Sequence, residues 1–282
     1  MKPICRAIFS FKNRSVEFSS HDSSVLPALA ALIDLPHRED GSADCSIALG
    51  EEAGRVAIHA AGEIKLHDTL AGALAALAQS IPFWLLPFGR GYVLHAGAIL
   101  AGGKAHMFLG PGHVGKSTLA LEAWLMGYEI LGDDYLVLDP QAVTLEAVPK
   151  PMKLRLGGGT LPDRLQKNVA PDAYCLGPGE EGWTLILGRR LPRMTPLYRN
   201  FPIGSIHLLT RSGTKKTFCA PADNRAFFRA ALEQTIAAPK NGLDVLRCFL
   251  PMLGRGRVFA LDIGHDDARG AVETMIAAAS CA

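Results

Sequence analysis

The octet Gly110-Pro-Gly-His-Val-Gly-Lys-Ser117 constrains this chain more than any other stretch, because it follows the spacing glycine, four residues, glycine, lysine, and serine or threonine. A loop of that spacing turns tightly enough for backbone N–H groups to surround the β- and γ-phosphates of a nucleoside triphosphate. Its lysine reaches across the phosphates and its hydroxyl ligates Mg²⁺. Gly110 and Gly115 let the backbone approach, Lys116 and Ser117 supply charge and metal ligand, and Gly112, His113, Val114 and Thr118 count with them as nucleotide-binding positions. The flanks fit: Ala105–Leu109 reads as a buried strand entering the loop, Ser117–Met126 as a helix leaving it, and Gly127 as the helix stop. That order sets a helix N-terminus and its partial positive charge under the phosphates.

The residues just before the loop sharpen the reading. Tyr92–Leu100 and Lys104–Leu109 flank Gly102-Gly103, the signal of a two-residue hairpin turn. With Ala101 facing Lys104, the register carries His95 to a position opposite Gly110, at the mouth of the loop. A histidine simply packed in a strand is the competing reading. Asp133-Asp134 follows the first strand after the loop helix, at the carboxyl end of a neighbouring strand, where ligands of α/β sheets bind. One carboxylate can hold Mg²⁺ and the other can accept the proton of an attacking hydroxyl; Asp133 is assigned the metal side and Asp134 the base. Turn or capping aspartates are the alternative. Lys153 and Arg155 alternate with Met152, Leu154 and Leu156, which places both cations on one strand face as a phosphate or substrate clamp, or as a solvated edge.

Elsewhere the pattern is an N-terminal set of short alternating strands around Val16–Phe18, Ser46–Leu49 and Val56–His59, then a helix through Leu77 that Asp68 can cap. After the loop, strands are expected at Glu129–Leu131, Tyr135–Leu138, Met152–Leu156, Ser205–Leu209 and Val258–Leu261, and helices over Arg225–Ala238 and Asp267–Ala279. The Gly/Pro-rich stretch 157–182 reads as a loop. The division expected is an N-terminal α+β subdomain over residues 1–88 and a catalytic α/β domain over 89–282. Of the 282 residues 49% are hydrophobic, but the longest apolar stretch, around Ile81–Phe88, is broken by Pro82 and Pro87 and is too short to span a bilayer. With no apolar secretion segment at the start and six cysteines without metal spacing, a cytoplasmic protein is expected. A net charge of +2 with no basic run argues against a nucleic-acid surface and for a small or peptide substrate.

The hairpin with Leu94-His-Ala-Gly97, the loop Gly110–Ser117 and the segment Leu131-Gly-Asp-Asp134 together resemble the catalytic domain of HPr kinase/phosphorylase. The resemblance extends to shorter bacterial kinases related to it, some of which phosphorylate a serine near the C-terminus of ribosomally made lasso precursor peptides. It runs from about Gly91 to Pro140 and more faintly to Leu156, where the Lys-x-Arg strand resembles a segment of the shorter relatives. It implies a P-loop kinase domain with a mixed sheet and flanking helices, ATP and Mg²⁺ as cofactors, and a peptide or small protein as partner. By that resemblance Lys116 and Ser117 bind triphosphate and metal, and His95, Asp133 and Asp134 serve phosphoryl transfer. Two departures stand out. Val148-Pro-Lys-Pro-Met152 replaces the family's longer glycine-rich signature, which weighs against phosphorylase activity and HPr itself. His113 fills a loop position often held by glycine, and histidine tolerates positive φ better than most residues. An HPr-like or metabolite kinase, an NTP-driven switch and a non-catalytic nucleotide sensor stay open as alternatives, as do the base preference and homo-oligomerisation.

Overall fold

The structure is a computed structural model that describes residues 5–87, 92–179, 182–237 and 243–281. Strands β1 (Cys5–Phe11) and β2 (Arg14–Ser20) are followed by α1 (Val25–Ile33), β3 (His37–Arg38), β4 (Cys45–Glu52), β5 (Arg55–Ala60), β6 (Glu63–His67) and α2 (Leu70–Trp84). Next come β7 (Tyr92–Leu94), β8 (Gly97–Ala101), β9 (Lys104–Leu109), α3 (Lys116–Leu125), β10 (Glu129–Gly132), β11 (Leu136–Asp139) and β12 (Thr144–Ala147). Then follow β13 (Met152–Leu156), α4 (Asp163–Gln166), β14 (Tyr174–Gly179), β15 (Gly182–Leu187), β16 (Asn200–Thr210) and β17 (Phe218–Pro221). The chain closes with α5 (Asn224–Glu233), β18 (Thr235–Ala237), α6 (Leu243–Gly254), β19 (Val258–Asp262) and α7 (Ala268–Cys281).

Two compact units emerge, residues 1–87 with 149–192, and residues 88–148 with 193–282. The expected boundary at 88–89 itself lies outside the described residues, and residues 149–192, expected in the catalytic domain, belong to the first unit instead. The reason is packing on α2 and α1. A Cβ on Gly177 of β14 would come within 2.8 Å of the Ala71 carbonyl carbon, Cys175 Sγ donates to Ala71 O at 3.3 Å, and Arg189 N donates to Leu32 O at 2.9 Å. The stretch expected as loop over 157–182 therefore contains strand β14. It pairs along its length with β15, and β13 pairs with the other side of β15.

In the first unit a six-stranded sheet runs β3-β1-β2-β4-β5-β6, in which neighbouring strands are antiparallel except β2 with β4. Alternation turns Phe9, Phe11, Val16, Phe18 and Ile47 to a buried face, where Leu29, Ile33 and Leu77 join them without exposure above 1%. Each such side chain contributes about 1.5–3 kcal/mol by leaving water. Thr69, rather than Asp68, caps α2: its hydroxyl accepts from Gly72 N at 3.1 Å, while Asp68 pairs with Arg55 at 2.8 Å. The helix also runs beyond Leu77 to Trp84, carrying Pro82 in its last turn.

The second unit is built on a sheet ordered β10-β8-β9-β16-β12-β11-β7-β18, with β19 added to β16 and β17 to β19. The β8–β9 hairpin has the expected register, Ala101 opposite Lys104, with Gly102 and Gly103 at φ 56° and 73°. Its ladder ends at Gly97 opposite Phe108. The expected strand 92–100 is thus two strands, because β7 leaves to pair with β11 and β18. Strands β9, β16 and β19 are mutually parallel, β8 is antiparallel to β9, and β10 is antiparallel to β8. Hence β10 points the same way as β9, one strand removed from it rather than adjacent as expected. α5 ends at Glu233, so the helix expected over 225–238 is shorter, and Ala238 lies outside the described residues. Among the described residues no helix is long and apolar enough to cross a membrane.

Candidate active site

Strand direction brings the sequence motifs to one end of the second sheet. The carboxyl ends of β9 and β10 and the amino end of β8 lie there together, so the phosphate loop, Asp133-Asp134 and His95 share a rim. The loop itself is shaped by two residues with positive φ, His113 at 64° and Gly115 at 112°. Histidine therefore holds the left-handed position in the middle of the loop. A Cβ at Gly112 would meet nothing within 4 Å, leaving its backbone open to a ligand. Gly115 immediately precedes α3, and Leu119 N donates to Gly115 O at 2.8 Å, so the helix starts directly under the loop. Val114 is buried, Ser117 half-buried, and His113 and Thr118 exposed.

Lys116 is 7% exposed and donates from Nζ to Gly110 O at 2.8 Å and Pro111 O at 3.2 Å. The ammonium thus folds back over the carbonyls of its own loop. Burial lowers its pKa, opposed by the charges of Asp134 and Asp133.

His95 and Asp134 form a pair, with Nε2 2.9 Å from Oδ1 and side chains 30% and 26% exposed. On the opposite edge of the ring stands Gln234, at the end of α5. With its amide nitrogen turned inward, its two N–H groups face three acceptors, His95 Nδ1 at 2.9 Å, His95 O at 3.2 Å and Gly110 O at 3.2 Å. The main chain makes the same connection, His95 N donating to Gln234 O at 2.7 Å. So His95 does not face Gly110 across a ladder, as the hairpin register alone suggests, but reaches it through Gln234. A donor at Nδ1 leaves the proton on Nε2, directed at Asp134. Tyr135 tilts against the histidine ring at a centroid distance of 6.1 Å, and burial together with the charges of Asp134 and Asp133 pushes its phenol up to about 12. It stays a neutral donor at any working pH.

Asp133 is 3% exposed whereas Asp134 is half-buried, so the adjacent carboxylates occupy different environments. Hydroxyl and carboxylate oxygens, Ser117 and Asp133, are the hard donors that suit Mg²⁺. Among the described residues no group of three His, Cys, Asp or Glu side chains is arranged to hold a metal. Lys153 and Arg155, the expected clamp, are exposed on β13 and belong to the first unit.

Gln234 escapes sequence reading, since a glutamine ending an amphipathic helix carries no motif. Arg211 is a second such residue: its Nη2 lies 3.3 Å from where a Cβ on Gly115 would stand. A cation at the carboxyl end of a strand parallel to β9 is the only signal that could have marked it.

No family model matches the chain, and no curated protein matches it. Among solved structures, the Hpr(Ser) kinase/phosphatase from Coxiella burnetii aligns over 58% of this chain and 95% of that one, with 16% identity and a TM-score of 0.27. An overlap that slight carries no argument.

Proposed function

We propose that the chain is an ATP-dependent kinase that transfers the γ-phosphoryl group to a serine-type hydroxyl. The observation that carries this is the pair His95–Asp134 held at the rim of the phosphate loop by Gln234, which bonds both the imidazole and Gly110. A nucleotide sensor needs the loop but has no use for a carboxylate held beside it in a fixed hydrogen bond. In the proposed step the acceptor oxygen forms a bond to Pγ while its proton passes to Asp134, and the bond from Pγ to the β–γ bridging oxygen breaks to release ADP. His95 donates to Asp134 and fixes which oxygen lone pairs face the acceptor. Lys116, released from its loop carbonyls, would neutralise the phosphates, and Arg211 adds a second cation beside Gly115. Ser117 and Asp133 would hold Mg²⁺, which when bound neutralises charge building on the β- and γ-phosphates.

The acceptor that fits the resemblance of the hairpin, loop and acidic segment is a ribosomally made precursor peptide of the lasso type. The test is intact-mass analysis of purified protein with Mg²⁺-ATP and peptides encoded beside its gene. One added phosphate with the wild type and none with Lys116→Ala supports the reading; ATP turnover without a phosphorylated peptide points instead to a metabolite kinase or a switch.

A further inference from the structure

The first unit holds a cleft of about 860 Å³ framed by α2, the β5–β6 end of its sheet, and the β13–β15 sheet. Four cations line it, Arg55, Lys65, Lys153 and Arg155, against two carboxylates, Glu63 and Asp68, of which Asp68 is paired with Arg55. Its apolar floor includes Ile58, Ala75 and Ala76. Along one wall runs β6, and among the described residues β5 is the only strand it pairs with. Its other edge offers backbone donors and acceptors to an added strand.

We infer that this cleft docks an extended, acidic segment of a peptide, laid along β6 as an additional strand. The inference rests on the kinase reading only in identifying that peptide as the phosphoryl acceptor. Three features select this occupant. First, Lys153 and Arg155 stand two residues apart on one face of β13, a spacing of about 6.6–6.8 Å, and an extended peptide repeats its side chains at the same interval. Cations so spaced match acidic residues at alternate positions, whereas a single phosphate would call for convergence on one point. Second, the open edge of β6, about five residues long, supplies main-chain affinity while the flanking charges reject neutral or basic strands. Third, Glu63 and Asp68 inside the same cleft would repel the continuous charge of a nucleic-acid backbone, but an alternating peptide can set apolar residues beside them.

The experiment is fluorescence anisotropy on the full-length protein, without nucleotide, using a fluorescein-labelled peptide of alternating glutamate and valine. Its lysine-for-glutamate counterpart and a single-stranded oligouridylate are the comparison probes. Binding of the glutamate peptide alone is expected, weakened about tenfold or more by Lys65→Glu and by the exposed pair Lys153→Glu/Arg155→Glu, and lost when alternate peptide nitrogens are methylated. Circular dichroism confirms that the variants fold, and Lys116→Ala, in the other unit, should leave this binding unchanged. No binding, equal binding of the lysine peptide, preference for the oligouridylate, or indifference to the charge reversals overturns the inference. The two readings fail separately. Phosphoryl transfer without this binding leaves the kinase and removes the dock, whereas binding without transfer leaves an acidic-peptide site and removes the kinase.

Discussion

Gln234 joins His95 to the phosphate-loop backbone without belonging to the loop. Its amide nitrogen faces His95 Nδ1 and the carbonyl oxygens of His95 and Gly110, so it holds the ring against the loop backbone. Gln234→Ala is expected to lower kcat about tenfold, a fraction of a general base's usual contribution, with a smaller effect on ATP affinity. A loss of ATP affinity with kcat intact would show that the residue merely braces the loop. At this scale the sequence showed the loop, His95 and the aspartate pair, because each carries a spacing or a register argument. It did not show Gln234 or Arg211, whose positions depend on where α5 and β16 end relative to β8 and β9.

Between elements, close packing and buried polar groups decide the outcome. Gly97 opens β8 opposite Phe108, and a Cβ there would run into the phenyl ring. Gly97→Ala should therefore cost about 1–3 kcal/mol by displacing that ring, read as a lower urea midpoint at unchanged slope. An unchanged midpoint would mean the ring has room to move. On the neighbouring strands, Ser205 Oγ lies 2.8 Å from both His106 Nδ1 and His207 Nε2, and His207 stacks on Phe259. Burial pushes His207 down to about 3 and lowers His106 as well. Both rings stay neutral in the fold while the unfolded chain takes up protons near the ordinary value of about 6.5, so stability is full above that pH and falls as pH drops toward 3. His207→Phe keeps the stacking and should flatten that acid loss between pH 7 and 4, measured by urea midpoints; an identical slope would place the acid sensitivity elsewhere. The β8–β9 hairpin was legible from Gly102-Gly103 alone, yet the break at His95-Ala96 was not, since β7 pairs with strands far along the chain. Likewise β14 hides in a Gly/Pro-rich stretch because Gly177 is required for close approach to α2, which a sequence reads as a turn.

For the whole molecule, the chain leaves the first unit after Pro87, re-enters at Pro149 and leaves again after Pro192. Sequence alone suggested a single cut, since a discontinuous unit has no local signal beyond those prolines. Residues 89–282 expressed alone would carry β13 and β15 without α1 and α2, exposing Leu185, Ile186 and Leu187, which are 1% exposed or less. That fragment should aggregate, and a soluble monomer with the full chain's far-ultraviolet signature would contradict the two-segment first unit. In the phosphoryl transfer proposed for the second unit, Asp134 is the base. Single-turnover transfer from γ-labelled ATP to the acceptor peptide, beside ATP affinity measured separately, tests it most directly in wild type and Asp134→Asn. For Asp134→Asn, ATP affinity little changed and transfer slowed about a hundredfold or more are expected. Transfer by Asp134→Asn at the wild-type rate would contradict that role.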